Sequence, residues 1–303
     1  MANRPAWASR PFASGASVGR LEPFRLALAR IGLPAWFVVI DLLWLVKPEL
    51  LGIDARHYQR AATAWLGGGD PWAVTEGGIP YLAGPHTLLF YAPTSLLPLP
   101  VSTALWMIVG GAAAVWLVRR LDLPIWWLAF PPLAHAIWNG NPQTLVVALL
   151  VQGSWLAAAV AVAFKLYAVV PLLWRPRNLV LAGIALVVLL PLVPWGGYLG
   201  VQDEVALHLG SAWNGSAWRF PLLLLPTALA LFVLRRRGAE WLALPALWPA
   251  TQFYYVSTVL PFVARRPFAA AALALPVPLM APAVAMIYAA KAIRDGSADD
   301  PTI

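Results

Sequence analysis

The chain has 303 residues, of which 61% are hydrophobic and only 11% are charged. So little polar surface excludes a water-soluble globule of this size and predicts an integral membrane protein. The net charge of +8 comes from basic residues in short clusters between apolar stretches, which is typical of cytoplasmic loops and does not indicate nucleic-acid binding. The lack of cysteine in the sequence excludes disulfides and thiol chemistry.

The basic clusters predict an all-α, multi-pass bundle flanked by two tails. Residues 1–25 are basic and form a cytoplasmic tail, and residues 26–46 form the first span, long enough for a hydrocarbon core of about 30 Å. Residues 47–100 then form an extracytoplasmic loop with a short amphipathic helix. The membrane domain covers residues 26–290 with about 9–11 membrane segments. Residues 291–303 are acidic and are expected to be disordered.

Apolar stretches and helix-breaking residues predict the later spans. Residues 101–118 form a simple span. Residues 144–174 are too many for one span, and the sequence favours either one long helix or three short helices packed down, up and down. Residues 240–264 are expected to form two half-helices that meet at Pro249, and residues 268–290 form the last span.

Residues 52–72 are the longest polar interruption between the apolar stretches, so we look there first for function. Asp54 begins a stretch of charged and aromatic residues in a predicted helix that ends near Leu66. Three glycines and Asp70 follow, which predict a turn. By local sequence alone, Asp54 is equally well interpreted as the N-cap of the helix or as a catalytic base.

Several short motifs lie in a characteristic order along the chain. They are Asp54, Tyr58, Ala61 and Ala62; Gly69, Asp70, Pro71 and Trp72; Phe90, Tyr91, Ala92 and Pro93; Leu97, Pro98, Leu99 and Pro100; Gly140 and Gln143; Lys165 and Pro171; and Asn214, Gly215 and Ser216. In these motifs the chain resembles the GT-C class of polyprenyl-phosphate-dependent glycosyltransferases, most closely glycosyltransferase family 87, the alpha-mannosyltransferase-like proteins. The first two groups are the most specific. The chain departs from the family after Pro249, where paired histidines are common and this sequence has Tyr254 and Tyr255.

The resemblance implies transfer of a hexose, with mannose expected, from a polyprenyl-phosphate sugar to a lipid or glycan hydroxyl. The reaction would take place on the extracytoplasmic side of the cell membrane, with Asp54 as general base. A phosphate leaves without being protonated, so a second carboxylate acting as an acid is dispensable. The scattered Asp54, Asp70 and Glu76 do not suggest a metal site, and no cofactor is expected beyond the lipid-linked donor.

Candidate substrate-binding residues surround this base in the sequence or lie at later motifs. They are Arg56, His57, Tyr58, Tyr81, His86, Tyr91, Gln143, Lys165 and Asn214. Each has a second interpretation. Arg56 shares a helix face with Arg60 and would equally suit an amphipathic helix on anionic lipid. Lys165 interrupts an apolar stretch, where it either binds the donor phosphate or extends to the membrane interface. The Tyr and His residues would equally serve as interfacial anchors. Asn139, Asn141 and Gln143 would either bind the donor's phosphate or sugar or, as the sequence favours, cap the next helix.

The sequence is also compatible with two other classes of function. A transporter or flippase for a polyprenyl lipid would place polar residues within the spans, as Arg30, Asp41 and Lys165 do. A non-catalytic membrane assembly subunit would keep the fold without the chemistry, and the tyrosines at 254–255 are the feature that favours it.

Overall fold

The fold is helical. The computed structural model describes residues 31–44, 47–207 and 214–295, so the predicted tail at residues 1–25 and His208 lie outside the described residues. The strand pairing within these ranges is a two-residue antiparallel ladder between β1 (Thr75–Glu76) and β2 (Ile79–Pro80). The predicted all-α class is confirmed.

The helices are numbered in chain order, and short 3₁₀ segments connect many of them. The helices are α1 (Leu33–Trp44), α2 (Ile53–Leu66), α3 (Thr87–Tyr91), α4 (Leu99–Arg120), α5 (Pro131–Trp138), α6 (Gln143–Gln152), α7 (Trp155–Phe164), α8 (Val169–Leu172), α9 (Pro176–Leu189), α10 (Trp195–Gly200), α11 (Gln202–Leu207), α12 (Leu224–Val233), α13 (Ala239–Leu247), α14 (Leu260–Val263), α15 (Pro267–Leu273) and α16 (Met280–Arg294).

Three local predictions agree with the structure. The short helix in the loop is α2, and the predicted span at residues 101–118 is α4. Residues 144–174 form three short helices, α6, α7 and α8, which is the second of the two predicted alternatives. The chain reverses at Gly153, whose φ of +79° is readily adopted by glycine. Ser154 then caps α7 by accepting a hydrogen bond from the Ala157 N–H at 3.2 Å.

The C-terminal part differs from the prediction. The Pro-containing span predicted at residues 268–290 is not one continuous helix, because α15 and α16 are separate helices with Pro276 and Pro278 between them. Proline lacks the N–H that would continue a helix, and it restricts the residue before it. Helix α16 also continues to Arg294, past the predicted start of the disordered tail at residue 291. The half-helices predicted around Pro249 are α13 and α14, joined by a 3₁₀ segment.

Helix α4 is, within the described residues, the one helix long and apolar enough to cross a membrane alone. Shorter apolar helices of 10–17 residues cover Leu33–Leu43, Gln143–Gln152, Trp155–Phe164, Pro176–Leu192, Pro221–Val233 and Phe253–Val263. The predicted number of membrane segments therefore stays a prediction.

One end of the bundle collects arginines from distant parts of the chain. The Arg175 guanidinium donates to the Leu150 carbonyl at the end of α6 and lies 5.4 Å from the Trp241 ring at the start of α13. Arg266, which follows α14, donates to the carbonyl of Arg237 at 3.5 Å. We call this the arginine end.

The loop at residues 47–100 packs at the opposite end, which we call the loop end. Here the Gln59 side chain donates to the Leu97 carbonyl at 2.9 Å, just before α4 begins. His86 contacts the ring of Trp195 beyond α9, with ring centroids 5.1 Å apart. Helix α6 runs from the loop end toward the arginine end, and its ten residues give it a length of about 15 Å.

The start of α2 is fixed to the turn between α5 and α6 through the backbone. The Gly52 N–H donates to the Trp138 carbonyl at 2.8 Å, and the Asp54 N–H donates to the Asn139 carbonyl at 2.9 Å. These carbonyls satisfy N–H groups that have no partner inside the helix. Gly52 occupies the N-cap position, so interpreting Asp54 as the cap is wrong and its carboxylate is available for other contacts.

Replacing Gly140 with Ala should destabilise the protein more than the same change at Gly68. Both glycines have positive φ, +65° and +76°, where a Cβ costs about 1–2 kcal/mol. At Gly140 the new Cβ would lie 2.7 Å from the Ala55 Cβ, whereas at Gly68 it meets nothing within 4 Å. We expect about 1–3 kcal/mol of additional loss at Gly140, measured by unfolding in detergent. Equal losses of stability in the two variants would contradict the close approach of Gly140 to Ala55.

Candidate functional site

Asp54 lies in the first turn of α2 with a partly exposed side chain. Its Oδ2 accepts a hydrogen bond of 2.7 Å from the Asn141 Nδ2. A carboxylate at this position also interacts favourably with the positive end of the helix dipole. Helix α2 and the turn before α6 together therefore fix the position of the Asp54 carboxylate.

Asn141 has two roles in this arrangement. Its Oδ1 accepts the backbone N–H of Gln143 at 2.9 Å, at the start of α6. Because a backbone N–H is always the donor, the amide oxygen must face Gln143, and the NH₂ group must face Asp54. The N-cap of α6 is Pro142, and Asn141, one residue earlier, satisfies the first N–H of the helix and orients the candidate base.

Lys165 lies where the chain is extended between α7 and the 3₁₀ segment Leu166–Ala168. The residue is only 7% exposed, so it is not a lysine that extends to an interface. Its ammonium donates a hydrogen bond to the Tyr58 hydroxyl and is close enough for its charge to act on Asp54. Burying an ammonium is costly unless it is paired, and the nearby carboxylate offsets part of that cost.

The environment of Asp54 acts on its protonation in opposing directions. Burial raises the pKa of Asp54 above its ordinary value, and this effect dominates. The Asn141 hydrogen bond and the charge of Lys165 oppose it by favouring the carboxylate. A base with a raised pKa is a stronger proton acceptor than an exposed aspartate.

Tyrosines from three parts of the chain surround the acid. The Tyr58 ring lies 4.9 Å from Tyr91 and 5.7 Å from Tyr81, and both belong to the loop. Tyr167 and Tyr255 come from the other side, with ring centroids 4.4 Å apart. Tyr254 in turn packs against Tyr255. The negative charge of Asp54 reaches the hydroxyls of Tyr58, Tyr91, Tyr167, Tyr254 and Tyr255.

Among the described residues, three that adjoin the Asp54 site carry a buried polar atom without a partner. Considering only the residues that the structure describes, the Tyr91 hydroxyl, the Gln143 Nε2 and the Asn139 Oδ1 make no hydrogen bond. Gln143 uses its Oε1 to accept from the Tyr167 hydroxyl, so its NH₂ group remains available. Each such unpaired group costs about 1–3 kcal/mol, so a cluster of them indicates a site for a polar ligand.

Arg56 helps to hold the loop together. Its Nε donates to the Glu76 Oε1 at 2.9 Å, and Arg60 pairs with the other oxygen of the same carboxylate. A further N–H donates to the Leu51 carbonyl. These contacts join α2 to the hairpin of β1 and β2, and they give Arg56 a structural role that the sequence did not suggest.

His57 faces the same hairpin. Its Nε2 lies 3.2 Å from the Val74 carbonyl, and because a carbonyl accepts, this nitrogen carries the proton. The ring contacts the edge of Tyr81 at a centroid distance of 5.6 Å. Burial lowers the pKa of His57, which favours the neutral form at pH 7. His57 therefore has little charge with which to bind a phosphate.

Two further candidate residues, His86 and Asn214, make other contacts at the loop end. His86 is buried and packs on Trp195. The Asn214 side chain donates to the Pro249 carbonyl at 2.7 Å and accepts from the Thr251 N–H at 3.1 Å. It thereby joins the chain before α12 to the break after α13.

Sequence reasoning missed the contributions of Tyr167, Tyr254 and Tyr255. Tyr167 follows Lys165 by two residues, and that spacing alone carries no signal. The tyrosines at 254 and 255 were noticed only as a departure from the family pattern, yet they lie within reach of the Asp54 charge. The sequence predicts a cap or ligand role for Asn141 but not its contact with Asp54, because a contact across 87 residues has no local pattern.

Comparisons of the chain with models of protein families, with curated proteins and with solved structures find no match. The site itself therefore indicates the chemistry. It combines an oriented carboxylate, a buried ammonium, and several hydroxyl and amide groups. Among the described residues, no cluster of three or more His, Asp or Glu side chains is placed to hold a metal ion. The arrangement suits proton removal from an alcohol, binding of an anion and recognition of a polyhydroxylated ligand.

Replacing Asn141 with Ala should raise the pKa of Asp54 further. The change removes the hydrogen bond that favours the carboxylate and leaves the burial in place. Infrared titration of the carboxyl band, with the Asp54→Asn protein subtracted, measures this pKa. Lys165→Met should shift it in the same direction, because it removes a positive charge. An unchanged or lowered pKa in both variants would show that these groups do not act on Asp54.

Proposed function

We propose that this protein is a membrane glycosyltransferase of the GT-C type. It transfers a hexose, with mannose the first sugar to test, from a polyprenyl-phosphate donor to a hydroxyl of a lipid or glycan. The observation that carries the proposal is the juxtaposition of Asp54, oriented by Asn141, with the buried ammonium of Lys165. The sequence motifs that resemble this class supply its substrates.

In the proposed reaction, Asp54 accepts the proton of the acceptor hydroxyl as its oxygen bonds to the anomeric carbon. The bond from that carbon to the phosphate oxygen breaks, and the electron pair stays with the polyprenyl phosphate. Lys165 then neutralises part of the phosphate charge, while Tyr58 holds the ammonium in place. A fixed cation at the developing charge stabilises the transition state without reorganisation.

The hexose fits the polar cluster around the acid. Tyr91, Gln143 and Asn139 offer a hydroxyl, an amide NH₂ and an amide oxygen that are unpaired within the described residues. Sugar hydroxyls both donate and accept, so they can satisfy all three. A site built on buried hydrogen-bonding groups discriminates strongly against ligands that leave them unpaired. The tyrosine rings supply apolar faces for the C–H surface of the sugar.

Apolar surface and charge distribution support placement in the cell membrane. On α9, Val180, Ile184, Val187 and Val188 are each more than half exposed. Lipid tails would cover such surfaces. With the arginine end in the cytoplasm, as the positive-inside pattern requires, the loop end and Asp54 lie on the extracytoplasmic side. Residues 47–100 then form the catalytic loop.

Asp54→Asn should abolish most of the hexose transfer. Loss of a general base lowers kcat by about 10²–10⁴-fold. The measurement is transfer from a polyprenyl-phosphate mannose to a lipid acceptor in liposomes containing the purified protein. Asp70→Asn is the matched control, because Asp70 lies in the same loop and its side chain accepts the Trp72 N–H at 2.9 Å, which an Asn side chain can also do. This variant should keep its activity.

The same liposomes separate the rival functions. Undiminished transfer by Asp54→Asn would remove the proposed mechanism. Movement of the polyprenyl lipid across the bilayer without transfer would favour a transporter. Neither transfer nor movement with any donor would favour an assembly subunit.

Lys165→Met should raise the KM for the phosphate donor by about tenfold or more, because a charge-assisted hydrogen bond contributes about 1.5–3 kcal/mol. Lys165→Arg should recover part of the affinity. Lys47→Met removes the same charge from an exposed position at the start of the loop and is the matched control. A KM unchanged in Lys165→Met would exclude a phosphate contact at this residue.

A further inference from the structure

An open apolar groove runs along the surface of the bundle. It has a volume of about 330 Å³ and is lined by Leu173, Trp174, Ala228, Leu231, Phe232 and Arg235. On α12 and just beyond it, the lining residues are spaced at three and four positions, so they form one helix face. Leu173 and Phe232 are 60% and 64% exposed. The groove is therefore accessible from the side of the bundle.

The groove has a defined direction. Leu247 also lines it, and the Leu247 carbonyl accepts a hydrogen bond from Trp218 at the loop end. Arg235 lies at the other extreme, where α12 reaches the arginine end. An extended apolar chain in the groove would thus run parallel to the proposed membrane normal.

Arg235 is held at the mouth of the groove. Its guanidinium donates to the Phe232 carbonyl at 3.1 Å and lies 4.5 Å from the centre of the Phe232 ring. Arg175 directly follows Trp174 of the groove, and Arg236 directly follows Arg235. Glu240 offsets part of this charge through its interaction with Arg175. The net charge at this mouth of the groove is positive.

We propose that the groove binds a phospholipid with an anionic headgroup. One acyl chain lies against Ala228, Leu231 and Phe232, and the lipid phosphate contacts Arg235. Basic pockets between helices on the cytoplasmic side are suited to anionic lipids, which are enriched in that leaflet. The polyprenyl donor does not suit this groove, because its phosphate is proposed to bind Lys165, at the opposite end of the bundle.

This inference rests on the proposed membrane placement but not on glycosyl transfer. A lipid bound at the arginine end does not contact Asp54, so the two proposals fail separately. An Asp54→Asn protein without transfer activity should still bind the lipid.

The test is lipid-induced stabilisation of the full chain in detergent. Dioleoyl phosphatidylglycerol is titrated against dioleoyl phosphatidylcholine while the apparent Tm is followed, and native mass spectrometry counts retained lipids. We expect the anionic lipid to bind more tightly, and Arg235→Gln to weaken it about fivefold, as a charge contact of about 1 kcal/mol implies. Ala228→Trp fills the groove and should remove binding. Arg119→Gln, an exposed arginine at the end of α4, is the matched control and should leave it unchanged.

Several outcomes would overturn the inference. Equal stabilisation by the two lipids would show that the charge at the mouth is irrelevant. Full binding by Arg235→Gln, or an equal loss in Arg119→Gln, would mean that binding is not located at this groove. An effect reproduced by glycerol phosphate alone would indicate an anion site without a lipid chain. Displacement of the phospholipid by polyprenyl phosphate would assign the groove to the donor.

Discussion

The candidate site depends on one close approach of two backbones. The turn at residues 138–141 supplies carbonyls to the first N–H groups of α2, and it can do so only because Gly140 carries no Cβ where Ala55 lies. Each such bond contributes only about 0.5–1.5 kcal/mol to stability. Their larger effect is geometric, because the turn that satisfies the helix also brings Asn141 to Asp54. The same few residues thus satisfy the start of α2 and orient the candidate base, and the loop cannot shift without separating the amide from the acid.

The second constraint is electrostatic. An ammonium as buried as that of Lys165 is tolerated only with compensation, and the structure provides the Tyr58 hydroxyl and the charge of Asp54. A single carboxylate cannot both remain a strong proton acceptor and fully neutralise a lysine in close contact. In the structure the strongest contact of the acid is with the neutral Asn141, and that of the lysine is with the neutral Tyr58. This arrangement leaves the lysine charge available for a phosphate and the acid available for a proton.

The sequence predicted local features well and long-range ones poorly. Glycine and proline placed the breaks at Gly153 and Pro249, because these residues act on their own backbone. The helix after the first span followed from composition, and so did the importance of Asp54 and Lys165 as polar residues in unusual surroundings. The contact from Asn141 to Asp54 spans 87 residues and has no local signature. The roles of Arg56 and His57 were similarly hidden, because both depend on a short hairpin whose pairing only the fold reveals. A two-residue ladder is too short to produce a recognisable alternation in the sequence.

The arginine end and the loop end would have different roles in the proposed membrane protein. In the proposed membrane placement, the arginines at one end would fix the orientation of the protein, since moving them across the hydrocarbon core is prohibitively costly. Fixed orientation in turn presents the loop end to the compartment where the acceptor is found. Helix α6 begins beside the Asp54 site, and near its other end the Leu150 carbonyl accepts from Arg175, so the acid and the arginines lie at opposite ends of this helix. A donor whose phosphate lies at Lys165 and a phospholipid whose phosphate lies at Arg235 can therefore occupy the same bundle with their headgroups at opposite ends. The hydrocarbon chains of the two lipids would extend toward each other through the same apolar layer. This is the arrangement expected of a protein that acts on one lipid and is positioned by another.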